Sequence, residues 1–436
     1  MRNAVFGAAL AIVASLAAPA ASAAAIDYST ARFTESTNRY AYGQAPVFMP
    51  DGNTVLFGKD FKRGSGNQVY SASWPAGRRL RCRTCSGPGS GTDNVNGVPA
   101  VRPQGDWVLF HSWRGHYMTI GSPGYGGMGS SLWAMHPDGS DQTQLTDVQP
   151  ASAGPGAGEG IDDYHAYWSP DGRHVEWAHL NWNFITGGGQ GKWDVRVADF
   201  SVKHGVPSLR NIHVVRPANG HWYETQWWAP DGSGFLYTET SGSAGNPELF
   251  FCRLIDNERA CRIRQLTHNP AWDEQALFTP DMKDVIFMSS RAQPGLFNTW
   301  SQTAQTLGLP TDYDYLLILP LFEAGFLQPV GQEYTDLYEL DLSTGSVRRL
   351  THDGKAGWIT PEFTWDPKNR FLMWTENRLP DGYRYPFPPD AAGYAQALQD
   401  LLQNPPVPSP DVTPNGVGVA ALPIEQKTRI GVFEPR

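Results

Sequence analysis

Short apolar runs, each set off by a polar turn, recur along most of this chain. Thr54-Val55-Leu56-Phe57, Trp107-Val108-Leu109-Phe110, His174-Val175-Glu176-Trp177, Phe235-Leu236-Tyr237-Thr238, Val285-Ile286-Phe287-Met288 and Phe371-Leu372-Met373-Trp374 are rich in β-branched and aromatic residues. Runs of this length and make-up predict buried strands. The same phrase precedes each run. Val47-Phe48-Met49-Pro50-Asp51-Gly52, Tyr167-Trp168-Ser169-Pro170-Asp171-Gly172, Trp227-Trp228-Ala229-Pro230-Asp231-Gly232 and Leu277-Phe278-Thr279-Pro280-Asp281 carry it clearly. Ala100-Val101-Arg102-Pro103-Gln104-Gly105 and Phe363-Thr364-Trp365-Asp366-Pro367 are worn copies. Pro presets φ, Asp bonds back to its own backbone, and Gly takes the positive-φ position. Each copy therefore predicts a β-hairpin.

A second strand pair follows, as in Leu132-Trp133-Ala134-Met135, Asp194-Val195-Arg196-Val197, Glu248-Leu249-Phe250-Phe251 and Asp336-Leu337-Tyr338-Glu339-Leu340. Three units close on Gln144-Leu145-Thr146, Gln265-Leu266-Thr267 and Arg349-Leu350-Thr351. The repeat is roughly 50–65 residues long, with one longer interval, and each unit holds four strands. Six such units predict an all-β fold: a six-bladed β-propeller of four-stranded blades, with loop and helix insertions on one face. A sandwich would not repeat one turn at matching places between matching strands.

The 436 residues suffice for such a ring plus insertions. Residues 1–23 read as a signal peptide. Met1-Arg2-Asn3 carries a positive charge, Ala4 to Ala18 is apolar, and Ala21-Ser22-Ala23 fits a small-x-small cleavage site. Residues 24–436 read as one propeller domain, with insertions at about 291–334 and 377–418. No later apolar stretch is long enough to cross a membrane. The mature chain is expected in a periplasm or outside the cell.

Cysteine usage agrees with that compartment. Cys252 and Cys261 flank a predicted hairpin, and Cys82-Arg83-Thr84-Cys85 sits where other units carry Leu-Thr. Two local disulfides are the favoured reading; free thiols, a redox pair or half a zinc site are the alternatives. The formal charge of −9 and the absence of a basic patch speak against nucleic acid.

In a propeller, the loops entering the innermost strands and those joining second to third strands open on one face. The latter are long here: His111–Ser131, His179–Lys192, Arg291–Tyr334 and Asn377–Gly418. Phe297–Leu307 and Ala391–Leu402 read as short helices within them. Long loops on a rigid scaffold carry function. Trp113, Arg114, His116, His179 and Trp182 lie in or beside these loops and suit a polar, ring-shaped ligand such as a sugar. Trp107, Trp133, Trp168, Trp177 and Trp228 are assigned to the core. A second set precedes the turns and should rim the channel: Tyr164, His165, Glu224, Gln226, Asp273, Glu274, Gln275 and Glu362. Acids and a His converging there could bind a divalent cation or move protons. Strand alternation turns only some of them inward.

Over roughly residues 40–376 the Ser-Pro-Asp-Gly and Leu-Thr signatures resemble the repeat of TolB-like propellers, a family of exported bacterial proteins. TolB itself has a separate N-terminal α/β domain, and too few residues precede the first repeat here to hold one. The resemblance implies a binding or interaction module whose channel mouth docks a protein or an oligo- or polysaccharide. Peptidase propellers fit less well, since no Gly-x-Ser-x-Gly elbow is present. The chain is also similar to polysaccharide lyases with such propellers, of the oligogalacturonate lyase type. That likeness implies a metal, calcium or manganese, on His165, Glu274 and Gln275, with Arg114 or His116 as base; no cofactor is certain. Only one His stands at a strand entry, a departure from the lyase pattern. A third reading is a glycoside hydrolase using Glu224 or Glu274 with Glu362. N-terminal sequencing of the exported protein should begin at Ala24; an intact Met1 on exported material would overturn the leader assignment.

Overall fold

The hairpin turns share one pair of hydrogen bonds. Met49 N donates to Thr54 O at 2.8 Å, and Gly52 N donates to Met49 O at 2.9 Å. The same pair of bonds recurs from Arg102, Ser169, Ala229, Thr279 and Asp366. Asp51 Oδ1 accepts from Asn53 N at 2.8 Å, and Asp231 Oδ1 accepts from Ser233 N at 2.9 Å. This is the self-bonding that makes Asp a turn residue. Met282 (φ 59°) and Asn369 (φ 54°) hold the left-handed position where other copies have Gly.

In a computed structural model these hairpins build six four-stranded sheets. The structure describes residues 26–35, 44–60, 67–87, 96–112, 114, 130–148, 162–181, 193–241, 246–257, 259–269, 271–292, 335–356, 358, 360, 362–378 and 427–435. The chain starts with β1 (Ile26–Glu35). Blade one is β2 (Gln44–Phe48), β3 (Thr54–Asp60), β4 (Asn67–Ser73) and β5 (Arg78–Cys82). Blade two is β6 (Asn96–Val101), β7 (Val108–Ser112), β8 (Ser131–Met135) and β9 (Thr143–Gln144). Blade three is β10 (Asp162–Trp168), β11 (His174–Leu180), β12 (Trp193–Lys203) and β13 (Val206–Arg216). Blade four is β14 (Tyr223–Trp228), β15 (Gly234–Ser241), β16 (Asn246–Ile255) and β17 (Ala260–Gln265). Blade five is β18 (Asp273–Phe278), β19 (Asp284–Ser289), β20 (Asp336–Asp341) and β21 (Val347–Arg349). Blade six is β22 (Phe363–Trp365), β23 (Leu372–Arg378) and β24 (Lys427–Pro435), with β1 as its outermost strand.

Lys427–Phe433 and Ala31–Thr34 looked like alternative ways to close the ring. The structure uses both: β24 is the third strand of blade six and β1 the fourth. Arg429 clasps this junction. Its Nε donates to Glu376 Oε2 at 2.6 Å, its other end lies 2.6 Å from Asp353, and its guanidinium sits against the rings of Phe33 and Trp358.

The Leu-Thr signature also has a structural cause. Thr146, Thr267 and Thr351 accept at Oγ1 from the amides of Leu132, Leu249 and Leu337, each at 2.9 Å. They thereby tie the close of the outer strand to the third strand. Thr84 does the same for Val69 at 3.0 Å, so Cys82-x-x-Cys85 carries the signature in altered form. Cys82–Cys85 and Cys252–Cys261 are both disulfides, local as expected.

The apolar core lies between blades. One cluster joins blades two, three and four, and others join four to five, five to six, six to one, and one to two. The five tryptophans assigned to the core are all buried. The two segments expected to be helical lie outside the described residues. Among the described residues no helix is long and apolar enough to cross a membrane.

Gly431 in β24 pairs with Trp374 and lies beneath its indole; a Cβ there would come within 2.1 Å of Trp374 Cε2. The indole cannot yield, because its Nε1 donates to the buried Glu376 at 2.8 Å. Gly431→Ala should cost about 1–3 kcal/mol, the range of overpacked cores. Chemical denaturation would measure it, and an unchanged midpoint would refute the account.

Candidate functional site

Five of the six innermost strands share an irregularity that the sequence did not announce. Their register against the second strand shifts between Gln44 and Val47, Gly97 and Ala100, Tyr164 and Tyr167, Thr225 and Trp228, and Glu274 and Ala276. In four of these strands the bulged residue is a non-glycine with positive φ: Ala45 at 48°, Val98 at 45°, His165 at 51° and Gln275 at 47°. Such backbone costs on the order of 1–3 kcal/mol per residue and persists only where its surroundings enforce it. A bulge re-aims side chains. Neighbours that alternation would turn to opposite faces, such as Glu274 and Gln275, here reach the same carboxylate.

That carboxylate is Glu224. Gln275 Nε2 donates to its Oε1 at 2.8 Å, His165 Nδ1 lies 3.0 Å from the same oxygen, and the Tyr164 hydroxyl donates to Oε2 at 3.3 Å. Glu274 lies within electrostatic reach of Glu224. Glu362, partly exposed, accepts from Ala45 N at 2.8 Å and lies within electrostatic reach of His165 and Glu224. Thr225 Oγ1 donates to the His165 carbonyl and joins blade four to blade three. The structure thus brings together six sequence-selected residues: Tyr164, His165, Glu224, Glu274, Gln275 and Glu362.

Below this ring the channel is apolar. Tyr167 and Trp227 have ring centroids 5.1 Å apart, and Trp227 packs against three of the inter-blade clusters, which between them reach every blade. Trp227 therefore spans the axis. A shallow apolar hollow lined by Ala100, Pro103, Trp168 and Pro170 lies beside it on the turn side. The polar ring, near the starts of the innermost strands, and this apolar layer are together called the cup.

Burial governs the protonation of the cup. It raises the carboxyls of Glu224 and Glu274, and the neighbouring Glu224 and Glu362 raise Glu274 further. Burial likewise pushes Glu362 up to about 7, against the pull of the Ala45 amide and His165. His165 is held down to about 4 by burial, with Glu362 opposing. His111, on the second strand of blade two opposite Gly97, is held down to about 3 by burial and then by His165. Both imidazoles are neutral at neutral pH.

Other expected site residues lie elsewhere. Arg114 donates to Gln142 and to Thr84 O and lies over the rings of Phe110 and Trp133, a cross-link between blades one and two. His179 is enclosed within blade three, its Nδ1 2.6 Å from Asp163. Gln226 donates to Thr238 at 2.5 Å and accepts from Ala276 N at 2.6 Å, stapling blade four to blade five. Trp113, His116 and Trp182 lie outside the described residues. Among the described residues no group of three or more His, Cys, Asp or Glu side chains is set to hold a metal ion. The expected ligands His165 and Gln275 turn toward Glu224 instead. His111, Tyr167 and Trp227 were missed as site residues; only their proximity in the fold marks them.

No protein-family model matches the chain, and no curated protein matches its sequence. Among solved structures, the chain is similar to a TolB-type protein of Agrobacterium tumefaciens at 16% identity and TM-score 0.40, covering 71% of this chain and 80% of that one. It is also similar to a dipeptidyl peptidase 4 of Porphyromonas gingivalis at 12% identity and TM-score 0.36, covering 76% of this chain and 41% of that one. A third is an oligogalacturonate lyase in complex with manganese, at 13% identity and TM-score 0.38, covering 79% of this chain and 87% of that one. These are likenesses of fold.

The cup makes stability depend on pH. A carboxyl whose pKa is raised by folding binds protons more tightly in the folded state, so stability falls as pH rises from its unfolded value through its folded one. The depressed histidines act oppositely, but only below their unfolded pKa of about 6.5. Between pH 6.5 and 8 the melting temperature should therefore fall. Glu362→Gln, which cannot ionise, should flatten part of that fall; a wild-type melting temperature rising across this window would contradict the assignment.

Proposed function

We propose that this chain is an exported binding module that takes a ligand or partner at the channel mouth. The carrying observation is the convergence of His165, Glu224, Glu274, Gln275 and Glu362 above a floor closed by Tyr167 and Trp227. A rigid ring that focuses polar groups from several blades onto one carboxylate suits recognition, because the groups are held in place before the ligand arrives. The leader-like N-terminus and the two disulfides support export. Hydrolysis by paired carboxylates is the weaker reading. Its pair would be Glu224 or Glu274 with Glu362, which lie within electrostatic reach of one another.

The partner is a protein segment or an oligo- or polysaccharide presented to the mouth. Thermal-shift screening of peptide and saccharide panels tests this. A stabilising ligand should lose its effect in Glu362→Gln and keep it in Asp231→Ala, a change at the opposite face. A ligand whose stabilisation survives Glu362→Gln but not Asp231→Ala would place binding on the turn face and overturn the reading.

A further inference from the structure

We infer that the hollow on the turn side receives the proline run of a second copy of this chain. This surface is separate from the mouth, and its occupant is the chain itself rather than the outside partner sought there. The hollow measures about 160 Å³. An apolar cavity of about 150 Å³ holds one benzene-sized ring. Of its lining, Pro103 and Pro170 are exposed, Trp227 is half-buried, and Tyr167, Trp168 and Trp228 are buried. Aromatic-lined hollows of this kind dock proline-rich segments, whose rings lie against the flat walls.

The lining also holds an unused donor. A tryptophan two residues before the turn proline recurs as Trp168, Trp228 and Trp365. Trp168 Nε1 donates to Ala100 O at 3.0 Å, and Trp365 Nε1 donates to Phe278 O at 2.8 Å, each reaching the preceding blade. Trp228 is 6% exposed, and among the described residues its Nε1 has no hydrogen-bond partner. A buried N–H left unpaired costs free energy that an arriving carbonyl would recover. A polyproline II segment supplies carbonyls, because it makes no internal hydrogen bonds. Proline also brings no N–H. That suits a hollow whose side chains offer no acceptor besides the Tyr167 hydroxyl. An ordinary apolar segment would bury its own amides there unpaired.

The chain itself contains such a segment, Pro405-Pro406-Val407-Pro408-Ser409-Pro410. Each proline has its φ already fixed, so docking costs little further ordering. The run lies outside the described residues, between β23 and β24, whose ends pair at Arg378 and Lys427. Its reach decides which copy it serves. Residues 411–426, fully extended, span at most about 60 Å. Lys427 stands on the mouth side of blade six. From there the way to the hollow runs outward over β1, down the 9 residues of β24 and inward across four strands. Strand rise and spacing make that path about 65 Å. A molecule's own run would need a taut tether and still fall short, whereas the run of a second copy meets no such limit.

Calorimetric titration of the dilute mature protein with a synthetic peptide of residues 403–412 tests this. The peptide should bind, and Pro406→Ala with Pro408→Ala in the peptide should weaken it about tenfold or more. Trp228→Phe, which keeps a ring and removes the donor, should weaken the unaltered peptide about three- to tenfold, the effect of one hydrogen bond. In sedimentation the wild-type protein should associate as its concentration rises, and free peptide should reverse the association. A variant with Pro405→Ser, Pro406→Ser, Pro408→Ser and Pro410→Ser together should stay monomeric. Should Trp228→Phe fail to fold, the peptide pair and the proline variant still decide. A peptide that does not bind, that binds equally without its prolines, or that is indifferent to Trp228→Phe overturns the inference. So does association that survives loss of the prolines. A monomer that accepts the peptide only once its own prolines are replaced would have the run docked within one molecule, and that too overturns it. An unrelated proline-rich peptide bound while 403–412 is refused would give the hollow a different occupant and sink the proposal.

Discussion

Blades packed side by side around an axis hold together only if the last meets the first. Here β1 lies antiparallel against β24, so strands from the two ends of the described chain complete one sheet. Arg429 secures that sheet by pairing with Glu376 on the neighbouring strand, and it lies between Phe33 of β1 and Trp358 ahead of the innermost strand. The apolar clusters sit between blades, so each blade buries its faces only while its neighbours stay in place. The channel and all that it positions depend on this closure.

Closure lets the inner ring hold unfavourable arrangements. Left-handed backbone at Ala45, Val98, His165 and Gln275 would relax in an isolated hairpin. In the ring each bulge is held between a second strand and the adjoining blade. Thr225 bonding the His165 carbonyl and Ala45 bonding Glu362 are examples of that grip. The same enclosure keeps Glu224, Glu274 and Glu362 together despite their mutual repulsion, since burial moves their protonation rather than their positions. Elsewhere the protein neutralises buried acids with arginines.

Much of the framework was legible from local chemistry. A Pro-Asp-Gly turn acts within a few residues, so its repetition exposes the hairpins, their count and the blade type. The Leu-Thr close acts over a single strand pair and is equally visible. The disulfides were readable because each joins neighbours. The cup was half legible: acids just ahead of the turns could be assigned to the channel rim, but which of them meet could not. Strand alternation argued that Glu274 and Gln275 face opposite ways, and the bulge reverses that. His179, Arg114 and Gln226 looked available in the sequence and are spent on the fold. His111 looked like the first residue of a long loop, and the structure places it on the second strand of blade two, opposite Gly97.

The amino-acid sequence by itself therefore determined the repeating hairpin, the four-stranded unit, the number of blades and the local cross-links, because each is enforced by contacts between residues close along the chain. Only the tertiary structure decided how the ring closes, that Trp227 floors the channel, and that Glu224 is the point on which His165, Glu274 and Gln275 converge. Those outcomes join residues about 50 or more positions apart, whose meeting is set by the curvature of the whole ring and carries no local mark.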